Sequence, residues 1–360
     1  MTADLVRQNA KRVREAFAPL IARGAPVALV DFSETPNASD HAIWLGEKRL
    51  LEELGATIVY RCSPQSYDRD AMAGKLGQGL IVLHGGVHAG GKNTAHRAFR
   101  WRLLSDFPDS PAVLMPYQPT REDEDHLVRA GLAFKSRANL VLFASSEQAR
   151  KTLASHFGDT ARIEMAPDPA FMLPPRKRMA EIAYDLVWIA RTDSGNANDT
   201  TEVAARLASQ AAEKFSILGF SDGIDIGYVA KHRPQTILLT DWQAFVFENE
   251  AARSALMNLS FDARAEAYVN RAYHLLSLGQ VVITDRLHAH IFAMQLDVPH
   301  ILLNDGAGRN FAFHETWTKS HARCRLADNP AEAWALARQA ALKLKEMPPD
   351  EALSWTWRDL

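Results

Sequence analysis

An α/β chain of two doubly wound lobes facing a cleft is the fold class that this sequence predicts, and three observations predict it. Its 360 residues exceed what one hydrophobic core ordinarily organises and suit two domains of roughly 150 to 180 residues each. Short apolar runs recur with a crossover-length segment after each, which is the pattern of parallel strands covered by helices on both faces. The series is interrupted once, at "MAPDPAFMLPPRKRMAE" (165–181), where proline and charge crowd together as in a linker. Residues 1–175 are therefore expected to form an N-terminal lobe, 182–330 a C-terminal lobe and 331–360 a closing helix and tail.

The opening segment carries Val6, Ala10, Val13, Phe17 and Leu20 at spacings of four and three, among Arg7, Lys11, Arg12, Arg14 and Arg23, which predicts an amphipathic helix. Two readings stand for it: a surface helix packed on the first lobe, or a basic helix in peripheral contact with the anionic inner face of a membrane. Strands are expected at 26–32, 57–62, 80–86, 112–118 and 140–146. Between the first two, "EKRLLEELG" sets Leu50, Leu51 and Leu54 on one helical face and stops at Gly55. The second series reads 184–192, 215–222, 236–242, 281–285 and 300–305, with a long helical stretch from about Ala251 to Leu278 and a last helix from Ala331 to Glu346. The tail "SWTWRDL" offers two tryptophans as docking points onto the body.

Lys+Arg 41 against Asp+Glu 43 leaves a formal net charge of -2, so no global field favours nucleic acid and any anion site must be built locally. The two cysteines, Cys62 and Cys324, lie far apart without CxxC spacing, which fits a reduced, cytoplasmic compartment and gives no sequence signal for zinc. No apolar signal region opens the chain, and no run reaches the ~18 apolar residues of a spanning helix.

The chemistry concentrates in "VVITDRLHAHIFAMQLDVPHILLNDGAGRN" (281–310). A strand ending at Asp285 and a helix starting near Leu287 would leave free backbone N–H groups beside Arg286, an anion cradle at a carboxyl edge. Arg286 could instead brace the loop against Asp285, and His288 is either a core imidazole or a participant. His290, two residues further along the helix, turns to another face. A matching edge appears earlier in the second series, past the apolar strand that begins at 184, where Arg191 precedes Thr192, Asp193 and Ser194. Two arginines at neighbouring edges suit a ligand carrying both a carboxylate and a phosphate. In the first lobe, "HGGVHAGGKN" (84–93) puts Gly85 and Gly86 at a strand end without matching the P-loop or GxGxxG patterns. His84 and His88 sit in a glycine-rich loop and not on one helix face, so no metal is expected there. Asn37, Ser39 and Asp40 precede a helix, either as caps or as ligand contacts.

Taken together, these segments resemble the polysaccharide pyruvyl transferase family over most of the chain. Asn37-Ala38-Ser39-Asp40-His41 is similar to the family's Asn-x-Gly-Asp turn, and "LHGGV", Pro116-Tyr117-Gln118, Asp168-Pro169-Ala170 and Arg191-Thr192-Asp193 match further elements. Thr284-Asp285-Arg286-Leu287-His288 matches its most specific motif unbroken, and "LLNDGAGRNFAFHETW" resembles its closing element. Ser39 departs from the usual glycine, Asn304-Asp305 inverts the usual order, and Arg309 stands for a lysine. The resemblance implies Rossmann-like lobes in a GT-B-like arrangement and phosphoenolpyruvate as donor substrate, with no cofactor. Arg191, Arg286 and His288 are implied around the donor, with Leu287 in the same turn and Arg309 preserving a positive charge. The acceptor implied is a glycan, a lipid-linked oligosaccharide being one form of it, with Asn37, Asp40, His41, Gly85 and Gly86 on the acceptor side and Asp40 as the catalytic base. Two rivals remain: a nucleotide-sugar glycosyltransferase in which Glu315 grips a ribose, and a non-catalytic carbohydrate-binding subunit.

Overall fold

The computed structural model describes residues 2–86, 94–119, 127–130, 137, 139–158, 161–190, 215–218, 236–239 and 255–360. Two six-stranded sheets organise them. The first contains β1 (Pro26–Val30), β2 (Thr57–Cys62), β3 (Leu80–Leu83), β4 (Ala112–Tyr117), β5 (Leu140–Ala144) and β6 (Arg162–Met165) in the order β2-β1-β3-β4-β5-β6. The second contains β7 (Tyr184–Ile189), β8 (Phe215–Leu218), β9 (Thr236–Leu239), β10 (Gly279–Thr284), β11 (His300–Leu303) and β12 (Cys324–Ala327) in the order β12-β11-β10-β7-β9-β8. Every pairing in both is parallel, so each sheet is of the doubly wound kind that the apolar runs predict.

The described helices are α1 (Thr2–Phe17), α2 (Ala38–Glu53), α3 (Arg69–Leu76), α4 (Thr94–Asp106), α5 (Glu147–Phe157), α6 (Phe261–Ser277), α7 (Leu287–Gln295), α8 (Arg309–Phe313), α9 (Pro330–Glu346) and α10 (Pro349–Ser354). One compact unit consists of Arg7–Thr35 and Ser39–Leu173; the other gathers Pro174–Leu360 with Met1–Val6 and Pro36–Ala38. The break at Leu173–Pro174 lies inside the proline-rich stretch.

Side-chain chemistry explains most element limits. In α1, Val6, Ala10, Val13 and Phe17 are buried while Arg7, Lys11 and Arg12 are exposed, and Phe17 stacks on Phe143 at 4.0 Å. The apolar face is thus consumed by packing. Ser260 caps α6 by accepting from the Ala263 N–H at 3.3 Å, so the long helical stretch is broken just before Phe261. β6 and β12 carry no apolar run because they are short edge strands with mixed exposure. In the second unit Trp188 stacks against Trp334 at 6.1 Å. Trp355 and Trp357 complete the same cluster, and Trp357 Nε1 donates to the Arg323 carbonyl at 3.0 Å. The tail is docked by these two rings.

Gly46 lies mid-helix in α2, where glycine is disfavoured by about 1 kcal/mol relative to alanine. A Cβ at this position would run into the Pro169 carbonyl oxygen, so the helix can lie on the Pro169–Met172 turn only without one. Gly46→Ala should therefore destabilise the chain by about 1–3 kcal/mol through overpacking, against the sign of helix propensity. Urea unfolding checks this, and a raised midpoint would contradict it.

Candidate functional site

In the second sheet the strand order reverses between β7 and β10, and the carboxyl edge at such a switch point is where open α/β sheets take their ligands. Thr284, the last residue of β10, is fully buried. Its hydroxyl donates to the Ile189 carbonyl at 2.9 Å and accepts from the Arg286 N–H at 3.0 Å. From the other side Asn310 Nδ2 donates to the Asp285 carbonyl at 2.6 Å and to the Leu303 carbonyl at 3.1 Å. The Asp285-Arg286 turn is thereby tied to both neighbouring strands.

Arg286 occupies the N-cap position of α7, and no side chain caps that helix. The first backbone bond is from His290 N to Arg286 O, at 3.2 Å. The N–H groups of Leu287, His288 and Ala289 thus head the helix at its positive end. Arg286 and His288 are both buried at this start. Arg309 is held by Asp305, which accepts from its N–H at 2.9 Å and from Nε at 2.6 Å, so its charge is braced at the rim of the edge. Arg191 lies outside the described residues, directly after Ala190 where the chain leaves β7, as do Thr192, Asp193 and Ser194. Glu315 is exposed and paired with Lys319 at 2.7 Å, a solvated ion pair.

The first sheet reverses between β1 and β3, and the residues just past those strands form a second charged edge. Asp31 adopts φ 77, a left-handed conformation that costs a non-glycine residue strain and so flags a constrained position. Its carboxylate meets His96 Nδ1 at 2.6 Å and accepts from Arg100 Nε, while Arg100 Nη2 donates to the His84 carbonyl at 2.7 Å. Glu47 meets His84 Nδ1 at 2.7 Å and accepts from the Gly85 N–H at 2.8 Å. A Cβ on Gly85 would stand 2.9 Å from the Pro116 carbonyl oxygen, and Gly86 has φ +85. Both glycines are therefore required by the protein's own backbone. Residues 87–93, including His88, lie outside the described residues.

Asp40, in the first turn of α2, accepts from Ser33 Oγ at 3.2 Å and Thr35 Oγ1 at 3.3 Å. His41 Nε2 donates to the Thr35 carbonyl at 2.9 Å, and its ring packs against Phe32 at 5.3 Å. Asn37 is part-exposed immediately before α2. The structure thus brings Asn37, Asp40 and His41 to one helix start. Asp31, Glu47, His96 and Arg100 complete the first-lobe edge and were not singled out by sequence. Glu47 had a signal: it follows Asp40 by two helical turns and lies between Ile43 and Leu50 on a buried face.

A third cluster is internal. His290 Nδ1 meets His300 Nε2 at 2.7 Å, and His290 Nε2 meets Thr318 Oγ1 at 2.9 Å. The same hydroxyl meets His314 Nδ1 at 2.9 Å. His321 is buried at 5.4 Å from the His300 ring, and Cys324 Sγ lies 3.7 Å from His290 Nδ1.

Residues 147–306 match the family model described as polysaccharide pyruvyl transferase. In that segment the chain is similar to a polysaccharide pyruvyl transferase domain. The matched segment includes Arg191 and the whole Thr284–His288 turn. Over 301 residues the chain is 25% identical to Pyruvyl transferase 1 of Schizosaccharomyces pombe, covering 81% of this chain and 69% of that one. The Bacillus subtilis protein EpsO, which also carries the pyruvyl transferase name, is 22% identical over 308 residues, 85% of this chain and 90% of its own. Among solved structures, an alpha-glucosyltransferase in complex with UDP and DNA aligns with a TM-score of 0.51 at 10% identity, over 89% of this chain and 91% of that one. That likeness concerns the fold, and it agrees with Rossmann-like lobes of the GT-B kind. These matches agree with a transferase of the pyruvyl class. No described helix is long and apolar enough to cross a membrane.

Two groups of imidazoles give stability opposite pH dependences. Burial holds His300 and His314 down to about 4, and lowers His290 and His321 as well. Protons then prefer the unfolded chain below its imidazole pKa of ~6.5, so stability is present above that pH and is lost as pH falls toward about 4. At His84 burial also opposes charge, but Glu47 outweighs it and the pKa is raised. That pair's contribution is full below ~6.5 and fades as pH rises through the raised value. The internal cluster has more members, so the urea midpoint should fall between pH 7 and 4.5. The two imidazoles held at about 4 are worth on the order of 3 kcal/mol each over their full range. A flat profile would contradict this reading.

Proposed function

We propose that the chain transfers the pyruvyl unit of phosphoenolpyruvate onto two hydroxyls of one glycan sugar, closing a pyruvate ketal. The observation that carries the reading is the start of α7, where the N-cap Arg286 makes no side-chain capping bond and Arg286 and His288 are buried together at the switch point of the second sheet. Such a start favours an anion through hydrogen bonding and through the helix dipole.

Phosphoenolpyruvate carries a carboxylate and a phosphate on one small carbon frame. In this reading Arg286 and the N–H groups from Leu287 onward hold one anion, and Arg191, two residues past the end of β7, holds the other. Bidentate guanidinium pairing fixes orientation as well as charge. Arg309, braced by Asp305, adds positive potential at the rim.

The transfer protonates C3 of the enol to a methyl group, develops oxocarbenium character at C2, joins C2 to two sugar oxygens and breaks the bond to phosphate. Of the two hydroxyl protons lost, one is balanced by the proton gained at C3 and the other leaves with phosphate. His288 delivers the proton to C3, and the arginines offset charge on the departing phosphate. The acceptor is assigned to the first-lobe edge, with Asn37, His41, Gly85 and Gly86 lining it and Asp40 taking a hydroxyl proton. The acceptor is a glycan, for which a lipid-linked oligosaccharide is one candidate, and the site of action is cytoplasmic.

Phosphoenolpyruvate should raise the melting temperature, and a UDP-sugar should not. Stabilisation by the UDP-sugar alone would favour a nucleotide-sugar glycosyltransferase. Arg286→Lys keeps the charge but loses the fork, so donor affinity should drop by about 1.5–3 kcal/mol in calorimetric titration. Undiminished affinity would remove the clamp from the account. For His288→Gln, kcat should fall on the order of 10²-fold while donor binding persists, since only a transition-state interaction is removed. An unchanged kcat would make His288 structural.

A further inference from the structure

We infer that the internal imidazole and thiol cluster of the C-terminal lobe is a structural site for a zinc-class ion, ligated by His290 Nδ1, His300 Nε2 and Cys324 Sγ, with His314 Nδ1 moving toward these three as the fourth donor. The first three donor atoms all lie within 4.8 Å of one another. His290 Nδ1 and His314 Nδ1 stand 3.7 Å and 3.9 Å from the sulfur. A tetrahedral zinc, with bonds of about 2.0–2.1 Å to nitrogen and 2.3 Å to sulfur, separates nitrogen from sulfur by about 3.5 Å. It separates two nitrogens by about 3.3 Å, so His290 and His300, now 2.7 Å apart, need only a small opening.

The surrounding hydrogen bonds set the tautomer of His300 for this role and offer His290 a partner for the one it needs. His300 Nδ1 lies 2.8 Å from the Val298 carbonyl, which accepts only, so that nitrogen carries the proton and Nε2 turns its lone pair inward. In the metal-free chain His290 Nδ1 therefore donates to His300 Nε2; on binding the ion that proton shifts to His290 Nε2, where Thr318 Oγ1, 2.9 Å away, accepts it. These are the outer contacts that orient ligating imidazoles. Burial keeps the imidazoles neutral, which is the state that ligates. His314 gives up its contact with Thr318, whose hydroxyl stays on His290. His321 is a buried neighbour, neither of whose ring nitrogens has a hydrogen-bond partner among the described residues. On binding, the Cys324 thiol proton is released to solvent and the sulfur binds as thiolate.

The position argues for a structural ion. His300 and Cys324 are the first residues of β11 and β12 and pair with each other, so the cluster sits at the amino edge of the sheet. The Arg286-His288 turn occupies the carboxyl edge. An ion here would tie together α7, β11, β12 and the turn after α8. Sequence spacing gave no warning, because the donors are scattered over positions 290, 300, 314 and 324 and only the strand pairing gathers them.

The full chain, stripped of metal with a chelator and titrated with cobalt(II), tests this. One equivalent should give visible d–d bands of four-coordinate cobalt together with a near-ultraviolet thiolate-to-cobalt band, and zinc should displace it and raise the melting temperature. Cys324→Ser should lose the thiolate band, while Cys62→Ser should keep it. Should either substitution unfold the chain, the wild-type titration decides alone. Absence of the thiolate band in the wild-type chain, or its loss in Cys62→Ser with retention in Cys324→Ser, would overturn the inference and leave a proton-bridged imidazole network.

Discussion

The second-lobe edge depends on one buried hydroxyl. Thr284 Oγ1 donates to the end of β7 and accepts from the backbone of Arg286, so the two central strands and the start of α7 share a single fixed point. The strand order reverses there, and the Asn310 side chain holds the turn after β10 from the other side. A serine could make the same two bonds, but it would lack the β-branched methyl that suits a buried strand end. With that point fixed, a buried arginine and a buried histidine occupy successive exits from a strand into a helix. Orientation of these groups precedes any chemistry, because a fork that can rotate loses the advantage of guanidinium over ammonium.

The two lobes reach a similar edge by different means. In the second, the positive character comes from Arg286, braced Arg309 and the helix start. In the first, carboxylates organise the edge: Asp31 holds His96 and Arg100, and Glu47 holds His84 and the Gly85 N–H. Asp31 accepts a strained backbone to do so. A cationic edge suits an anionic donor, and a carboxylate-rich edge suits neutral hydroxyls that must be oriented and deprotonated. This contrast supports assigning donor and acceptor to different lobes.

Much of this was legible in the sequence, for physical reasons. Doubly buried parallel strands need continuous apolar runs, so β1, β3, β10 and β11 announce themselves, and the Thr284–His288 motif is contiguous. β6 and β12 did not, since edge strands can be polar and short. Glu47, His96 and Arg100 were missed because their partners lie tens of residues away, and a buried charge on an amphipathic helix looks like any other until its partner is known. The imidazole cluster was hidden for the same reason. Gly85 and Gly86, implied on the acceptor side, also have a reason in the fold itself: a Cβ on Gly85 would crowd the Pro116 carbonyl, and Gly86 adopts positive φ.

The central claim is that the Thr284–His288 turn holds an enol donor that is protonated at C3 as the glycan is ketalated. Its most direct test is a reaction in heavy water with phosphoenolpyruvate and a panel of galactosides, glucosides and mannosides, analysed by NMR. The account predicts acceptor-dependent phosphate release and a ketal whose methyl group carries one deuterium. Turnover of a UDP-sugar on the same panel, with phosphoenolpyruvate left intact, would contradict it.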